Sequence, residues 1–299
     1  MNDIAMEPEK APSASALVAD LTDLLDVEQL DRDLYRGHRK KGGVGRIFGG
    51  QVIAQAVMSA SLSIEDDKTV HSLHAYFMRP GDENLPIIFR VERDFDGGSF
   101  ANRRVIAMQN GKAILNLISS FQRKEEGLSH MAPMPQVPPP ESLMSLLELA
   151  QKHGGELLSG PRTFMQPPGA IELRPVIAFP SLSSEKMDPA NQCWFKAIAP
   201  VRDDPRLHQA MLAHASDMVL LSTSLLPHGI NGVSHNIQTA SLDHALWFHE
   251  DVTIDDWLLY VMDSPWAGHA RGFNRGAIYT REGKLVASVA QEGLIRIRT

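Results

Sequence analysis

From Val70 to Gln122 apolar and polar residues alternate in four runs: VHSLHAYFM, LPIIFRVERDF, SFANRRVIAMQ and AILNLISSFQ. A period of two marks strands with one buried face. Turn signals divide them at Pro80-Gly81-Asp82, Asp96-Gly97-Gly98 and Asn110-Gly111-Lys112. Asn-Gly between alternating runs predicts a tight hairpin. Ahead of the strands, QVIAQAVMSASL is small and apolar on every side, as suits a buried helix. Leu17 to Leu25 has helical spacing, Leu30 to Gly37 reads as one short strand, and RGHRKKGGVGRIFGGQ is a Gly- and base-rich loop. One helix followed by a long meander predicts an α+β fold.

Beyond this meander, five of the eight residues from Pro133 to Pro140 are proline, which forbids a continuous helix or central strand. ESLMSLLELAQK then reads as a short amphipathic helix ended by Gly154-Gly155. Strands IELRPVIAF and CWFKAIAP follow, then a long helix, RLHQAMLAHASDMVLLS. HNIQTASLDHALWFH, DWLLYVMD, GFNRGAIYT and LVASVAQEGLIRIR read as the closing strands.

The two halves repeat each other. FANRRVIAMQNGK aligns without a gap on GFNRGAIYTREGK at an offset of 172, matching Asn102 with Asn274 and Arg103 with Arg275. IAQAVMSA aligns on LAHASDMV at an offset of 159. A repeat this long predicts a duplicated domain rather than a solenoid. The expected organisation is a disordered tail over 1–15, one half over 16–125, a Pro-rich linker with a short helix over 126–169, and a second half over 170–299.

Composition narrows the function. Lys plus Arg is 29 and Asp plus Glu is 36, a net charge of −7, which speaks against a general nucleic-acid binder. The single cysteine, Cys193, excludes an intrachain disulfide and a cysteine-based zinc site. No run approaches the ~20 apolar residues of a membrane span, and the start, MNDIAMEPEKAPSASA, has no apolar export core. A cytoplasmic protein is expected, with no membrane partner. There is no G-x-S-x-G elbow and no H-E-x-x-H, and GRIFGGQ lacks the Lys of a P-loop.

FGGQVIAQA, HSLHAYFMRPGD, FANRRVIAMQNGK, HASD, LPHGI, LDHALWFH, ARGFNRGAIYT and VASVAQEG together resemble the acyl-CoA thioesterase II family. The resemblance spans roughly 17–125 and 170–299. It implies an α+β double hotdog, two tandem repeats each with a helix wrapped by an antiparallel sheet. It implies hydrolysis of fatty acyl-CoA without a cofactor or metal, with the acyl chain in a tunnel near the join of the halves. It also implies a homo-oligomer, a dimer or tetramer of double hotdogs. By position it places the water-holding trio at Asp217, Ser241 and Gln291.

The residues themselves leave simpler readings beside these. Asp217, read inside the long helix, has Ala213, His214, Leu220 and Leu221 on its face. Burial there raises a carboxylate pKa toward that of a useful base, but an Asp at a helix edge fits the same pattern. Ser241 is read on one strand face with Ile237, Ala245 and Trp247, and Gln291 with Val289 and Ile295. Backbone-bonded polar groups explain both equally well. His71 falls where the family has a histidine sometimes tied to activity; a strand histidine bonded across the sheet is the alternative. Gly49 and Gly50 would let backbone approach a ligand closely or allow close helix packing. Arg39, Lys40 and Lys41 would meet coenzyme A phosphates or simply be solvated. At the repeat-equivalent positions, the first half has Met58 for Asp217 and Ser119 for Gln291. That predicts one active site per chain, with the first half as wall and scaffold. A hotdog enoyl-CoA hydratase and a non-catalytic acyl-CoA-binding protein are the competing functions.

Overall fold

The computed structural model describes residues 12–40, 43, 45–65, 67–152, 169–177, 185–230 and 236–298. The tail before Pro12, Lys41 and the linker just beyond Lys152 lie outside these. Helix α1 (Ala14–Leu25) starts on Ser13, whose hydroxyl accepts from the Ala16 N–H at 3.2 Å. That cap satisfies one of the amides a helix start leaves free. Ala14 and Ser15, assigned by composition to the tail, are therefore its first turn. The run read as a single strand from Leu30 to Gly37 is part of a hairpin, β1 (Val27–Asp31) and β2 (Leu34–Gly37). Asp33 makes the turn at φ 59°, a conformation short polar residues tolerate. Its carboxylate accepts from Arg93 at 2.9 Å.

Helix α2 (Gly49–Leu62) is buried all round from Gly50 to Ser61, as its small and apolar sequence predicts. Strands β3 (Thr69–Phe77), β4 (Ile87–Asp96), β5 (Phe100–Gln109) and β6 (Lys112–Gln122) wrap it. Asn110 and Gly111 turn β5 into β6 at φ 49° and 70°, the two positive values a tight hairpin needs. In the linker, α3 (Leu146–Lys152) follows a separate 3-10 turn at Pro140–Ser142.

The second half contains β7 (Ile171–Pro175), β8 (Ala190–Ala197), α4 (Pro205–Ser216), β9 (Ile237–Ser241), β10 (Asp243–Phe248), β11 (Leu258–Gly268), β12 (Arg271–Thr280) and β13 (Leu285–Ile297). One antiparallel sheet runs β1-β2-β4-β5-β6-β3-β10-β13-β12-β11-β8-β7, with β9 paired to β13. The halves join where Leu73 of β3 faces Leu246 of β10. Inside the sheet α2 packs on α4. This is the α+β double helix-in-sheet arrangement that the sequence predicts. Among the described residues no helix is long and apolar enough to cross a membrane.

The prolines make the linker a strap over the outer sheet face. Met134, Val137 and Leu143 pack against buried Trp194, Leu259 and Tyr279. The Trp194 indole donates to Pro138 O at 3.0 Å, and Arg174 donates to Pro140 O at 2.8 Å. A chain without helical or ladder bonds is held by side chains from the sheet it covers.

The repeat is real, but its register differs from the gap-free alignment. Arg103 points inward at 1% exposure, whereas Arg275 is an outward residue paired with Asp263. The inward residue at the place of Arg103 is Asn274. Arg103 faces Ser119 across β5 and β6, and Asn274 faces Gln291 across β12 and β13. Both hairpins carry the same one-residue irregularity near the turn, at Ala107/Met108 and Ile278/Tyr279, so the slip lies in the turns themselves: two residues separate Gln109 from Lys112, and three separate Thr280 from Lys284.

Candidate active site

Helix α4 ends one residue before Asp217, which is its C-cap at φ −89° and ψ −6°. The single long helix read from the sequence is therefore two pieces, α4 and a 3-10 segment at Leu220–His228. Leu220 and Leu221 are not helical neighbours of Asp217. The Tyr260 hydroxyl donates to Ser216 O at 2.9 Å, holding the last turn where the break begins. The small side of Tyr260's setting is Gly276, where an added Cβ would lie 2.2 Å from the ring.

The carboxylate of Asp217 is 3% exposed and surrounded by donors. Ser241 Oγ donates to its Oδ1 at 3.1 Å, and Gln291 Nε2 donates to the same oxygen at 2.5 Å. Gln291 Nε2 also lies 3.0 Å from Ser241 Oγ. The other half approaches too: the Gly50 N–H, in the first turn of α2, faces the carboxylate and helps to lower its pKa. Gly49 is so close that an added Cβ would lie 2.7 Å from Asp217 Oδ2. Burial raises the Asp217 pKa to about 6, against the lowering pull of Gln291, Ser241 and Gly50. This is a buried base poised near neutrality.

Asp217, Ser241 and Gln291 thus converge from a helix end and two strands. The first half is more than wall and scaffold, since Gly49 and Gly50 form one side of the cluster. His71 is not brought there. It is six residues along β3 from Phe77, the ring beside Gly49, which is roughly 20 Å of strand. Its ring meets Phe100 edge-on at 5.9 Å.

The sequence reading missed His244. It is fully buried, with Nδ1 3.2 Å from Gln291 Nε2 and Nε2 2.9 Å from Ser216 Oγ. Unbroken alternation from Ser241 puts Ala245 and Trp247 inward and His244 outward. The strand breaks at Leu242, which bonds Glu292 O, while Asp243 Oδ1 accepts from Glu292 N–H at 2.6 Å. The break switches parity, so His244, Leu246 and Phe248 face in. Burial lowers the His244 pKa to about 3. Its 3.9 Å approach to Asp217 is therefore not an ion pair.

A cavity of about 1210 Å³ lies between α1, α3 and the meeting point of α2 and α4. Leu21, Leu146 and Ile198 line its apolar part; Phe48, His214 and Met218 form the wall beside the cluster. That wall is tight: an added Gly50 Cβ would lie 2.5 Å from both His214 O and the Phe48 ring. Arg39 and Lys40 also line the cavity, among acidic groups such as Asp20 and Glu83. A smaller hollow of about 310 Å³ under Asn110 and Gly111 touches none of these residues.

Known proteins are similar to this chain over most of its length. The acyl-CoA thioesterase family model matches residues 170–294, and the model of the acyl-CoA thioesterase N-terminal domain matches 38–122. Acyl-coenzyme A thioesterase 8 of Homo sapiens is 38% identical over 290 residues, covering 93% of this chain and 89% of that protein. The chain belongs to the acyl-CoA thioesterase II family. Acyl-CoA thioesterase 2 of Haemophilus influenzae is 33% identical over 94% of this chain and 99% of its own length. The crystal structure of an acyl-CoA thioesterase II from Mycobacterium marinum is 38% identical, with a TM-score of 0.75 over 93% of this chain and 99% of that one. A protein with a hot dog fold from Alicyclobacillus acidocaldarius, 18% identical with a TM-score of 0.77 over 93% of this chain and 98% of that one, shares the fold. As a member of the acyl-CoA thioesterase II family, the chain is a thioester hydrolase with a double-hotdog fold.

Proposed function

We propose that this chain hydrolyses fatty acyl-CoA to free fatty acid and coenzyme A, using a water held by Asp217, Ser241 and Gln291. The observation that carries this reading is the buried Asp217 carboxylate, raised to about 6 and held by Ser241 and Gln291. Asp217 takes a proton as the water oxygen attacks the thioester carbonyl carbon. Gln291 Oε1 is buried without a hydrogen-bond partner among the described residues, so it can accept the water's other hydrogen. Both hydrogens of Gln291 Nε2 are engaged by Asp217, Ser241 and His244. Carbonyl polarisation therefore falls to the N-terminal end of α2, whose dipole favours negative charge. When the tetrahedral intermediate collapses, the carbon–sulfur bond breaks, and the proton held by Asp217 goes to the leaving thiolate. The acyl chain occupies the apolar part of the cavity behind Phe48, His214 and Met218. Arg39 and Lys40 would face the coenzyme A phosphates.

Release of free thiol from a panel of acyl-CoAs tests the proposal. Hydrolysis releases one thiol per substrate, whereas hydration of an enoyl-CoA leaves the thioester intact. No thiol release at any chain length overturns it.

A further inference from the structure

Gln291 matters only if its amide points the right way, and four hydrogen bonds in series set its direction. The oxygen of Asp217 at 2.5 Å demands an N–H there, because a Gln291 oxygen in that place would meet a carboxylate oxygen. The same Nε2 then faces His244 Nδ1 at 3.2 Å, so Nδ1 must be the bare, accepting nitrogen. His244 therefore carries its hydrogen on Nε2, 2.9 Å from Ser216 Oγ. Ser216 can accept it because its own hydroxyl hydrogen goes to Ala213 O, at 2.9 Å in the last turn of α4. Reversing any one bond forces two donors or two acceptors together elsewhere in the chain.

We infer that His244 is a positioning residue, which with Ser216 holds the Gln291 amide so that Nε2 faces Asp217 and Oε1 is left free for the nucleophilic water. The imidazole touches neither substrate nor water and acts only through Gln291. Every member of the series is buried: Ser216, His244 and Gln291 are 0% exposed. Solvent cannot substitute for a lost partner there, so a flipped or unanchored amide leaves buried groups unpaired. The inference rests on the proposed role of Gln291, but the geometry can be tested apart from it.

Nuclear magnetic resonance of nitrogen-15 histidine-labelled protein tests the geometry, with the His244 signal assigned from its absence in His244→Asn. The expected result is a neutral Nε2–H tautomer at pH 7. An Nδ1–H tautomer overturns the inference, whatever the enzyme's activity. Kinetics test the consequence. His244→Leu should lower kcat roughly 10- to 100-fold, the range known for outer partners of metal ligands, with KM changed less than about twofold. His244→Asn, whose Oδ1 can stand near the place of Nδ1, should recover most of that loss. In a Gln291→Ala background, His244→Leu should cost less than about twofold more, because the group it positions is gone. Losses that multiply in the double variant, or no rescue by Asn in a folded protein, would show that His244 is merely packing. An inactive native enzyme with the Nε2–H tautomer would refute the proposed hydrolysis and leave the hydrogen-bond series standing.

Discussion

The backbone N–H of Gly50 faces the carboxylate of Asp217 and helps to lower its pKa, so the first turn of one half's helix meets the end of the other's. Only glycine permits this approach. A Gly49 Cβ would lie 2.7 Å from Asp217 Oδ2, and a Gly50 Cβ 2.5 Å from the main-chain oxygen of His214. Gly50→Ala must push two packed helices apart and should lose about 1–3 kcal/mol of stability along with activity. Gly49→Ala meets a side chain instead, so it should lower kcat with a smaller stability loss. Thermal melts beside steady-state kinetics check the contrast. Near-native kcat in both variants would remove the glycines from the site.

Asp217→Asn should lower kcat by roughly two to four powers of ten, the range for a general base. Ser241→Ala and Gln291→Ala should lose less, and their losses should not add, since both serve one water. In the native enzyme kcat/KM should fall as the pH drops through about 6, where Asp217 takes up its proton. The Gln291 and Ser241 bonds lower that pKa, so removing either should move the acid limb to higher pH. A limb that stays fixed in both variants would mean that another group titrates.

The same burial predicts a stability trend. Asp217 has a folded pKa above its ordinary value of 3.8, so the folded state binds its proton more tightly than the unfolded state. This contribution is most favourable below about 4 and is lost as the pH rises through about 6. A displacement of that size is worth about 3 kcal/mol at most. Relative to Asp217→Asn, the native protein should lose stability across that window and hold level above it. Denaturant melts from pH 4 to 8 measure the difference, and parallel curves would contradict the buried, protonatable carboxylate.

Most of the fold was legible because strand alternation and the all-apolar α2 are local patterns, and the sheet keeps them. What escaped was wherever one residue changes the phase. Asp33 splits a strand into a hairpin, and the break at Leu242 turns His244 inward. The one-residue slip between the hairpins puts Asn274, not Arg275, at the place of Arg103. Asp217, Ser241 and Gln291 came from family resemblance rather than periodicity. Their convergence depends on a helix ending that a run of helix-forming residues conceals. The first half's share in the site was hidden for a related reason: Gly49 and Gly50 act through what they lack.

If the acyl chain fills the cavity, narrowing it should shorten the preferred substrate. Ile198 is only partly buried and lines the apolar part, so a larger ring can enter without overpacking the core. Ile198→Trp should reduce kcat/KM for long acyl chains by about tenfold or more and leave short chains within about twofold. Each methylene a pocket can no longer cover is worth about 1–3 kcal/mol. An unchanged chain-length profile would move the chain out of this cavity while leaving the hydrolytic site untouched.

Among its described residues, the first half lacks counterparts of Asp217, Gln291 and His244. The residue that ends α2, as Asp217 ends α4, is Ser63, not Met58, which lies inside the helix. Ser63 Oγ accepts from Arg103 Nε at 2.8 Å, and Arg103 Nη2 reaches Asp96 at 2.6 Å. Ser119 stands where Gln291 does, and Leu73 stands where His244 does. A serine tied to a buried guanidinium cannot serve as a carboxylate base, and Ser119 cannot replace an amide that both donates and accepts. Titration with a tight, non-hydrolysable acyl-CoA analogue should therefore saturate at one molecule per chain, and Asp217→Asn should leave no second, slower turnover. Two productive sites per chain would mean that the buried Arg103 cluster opens to substrate.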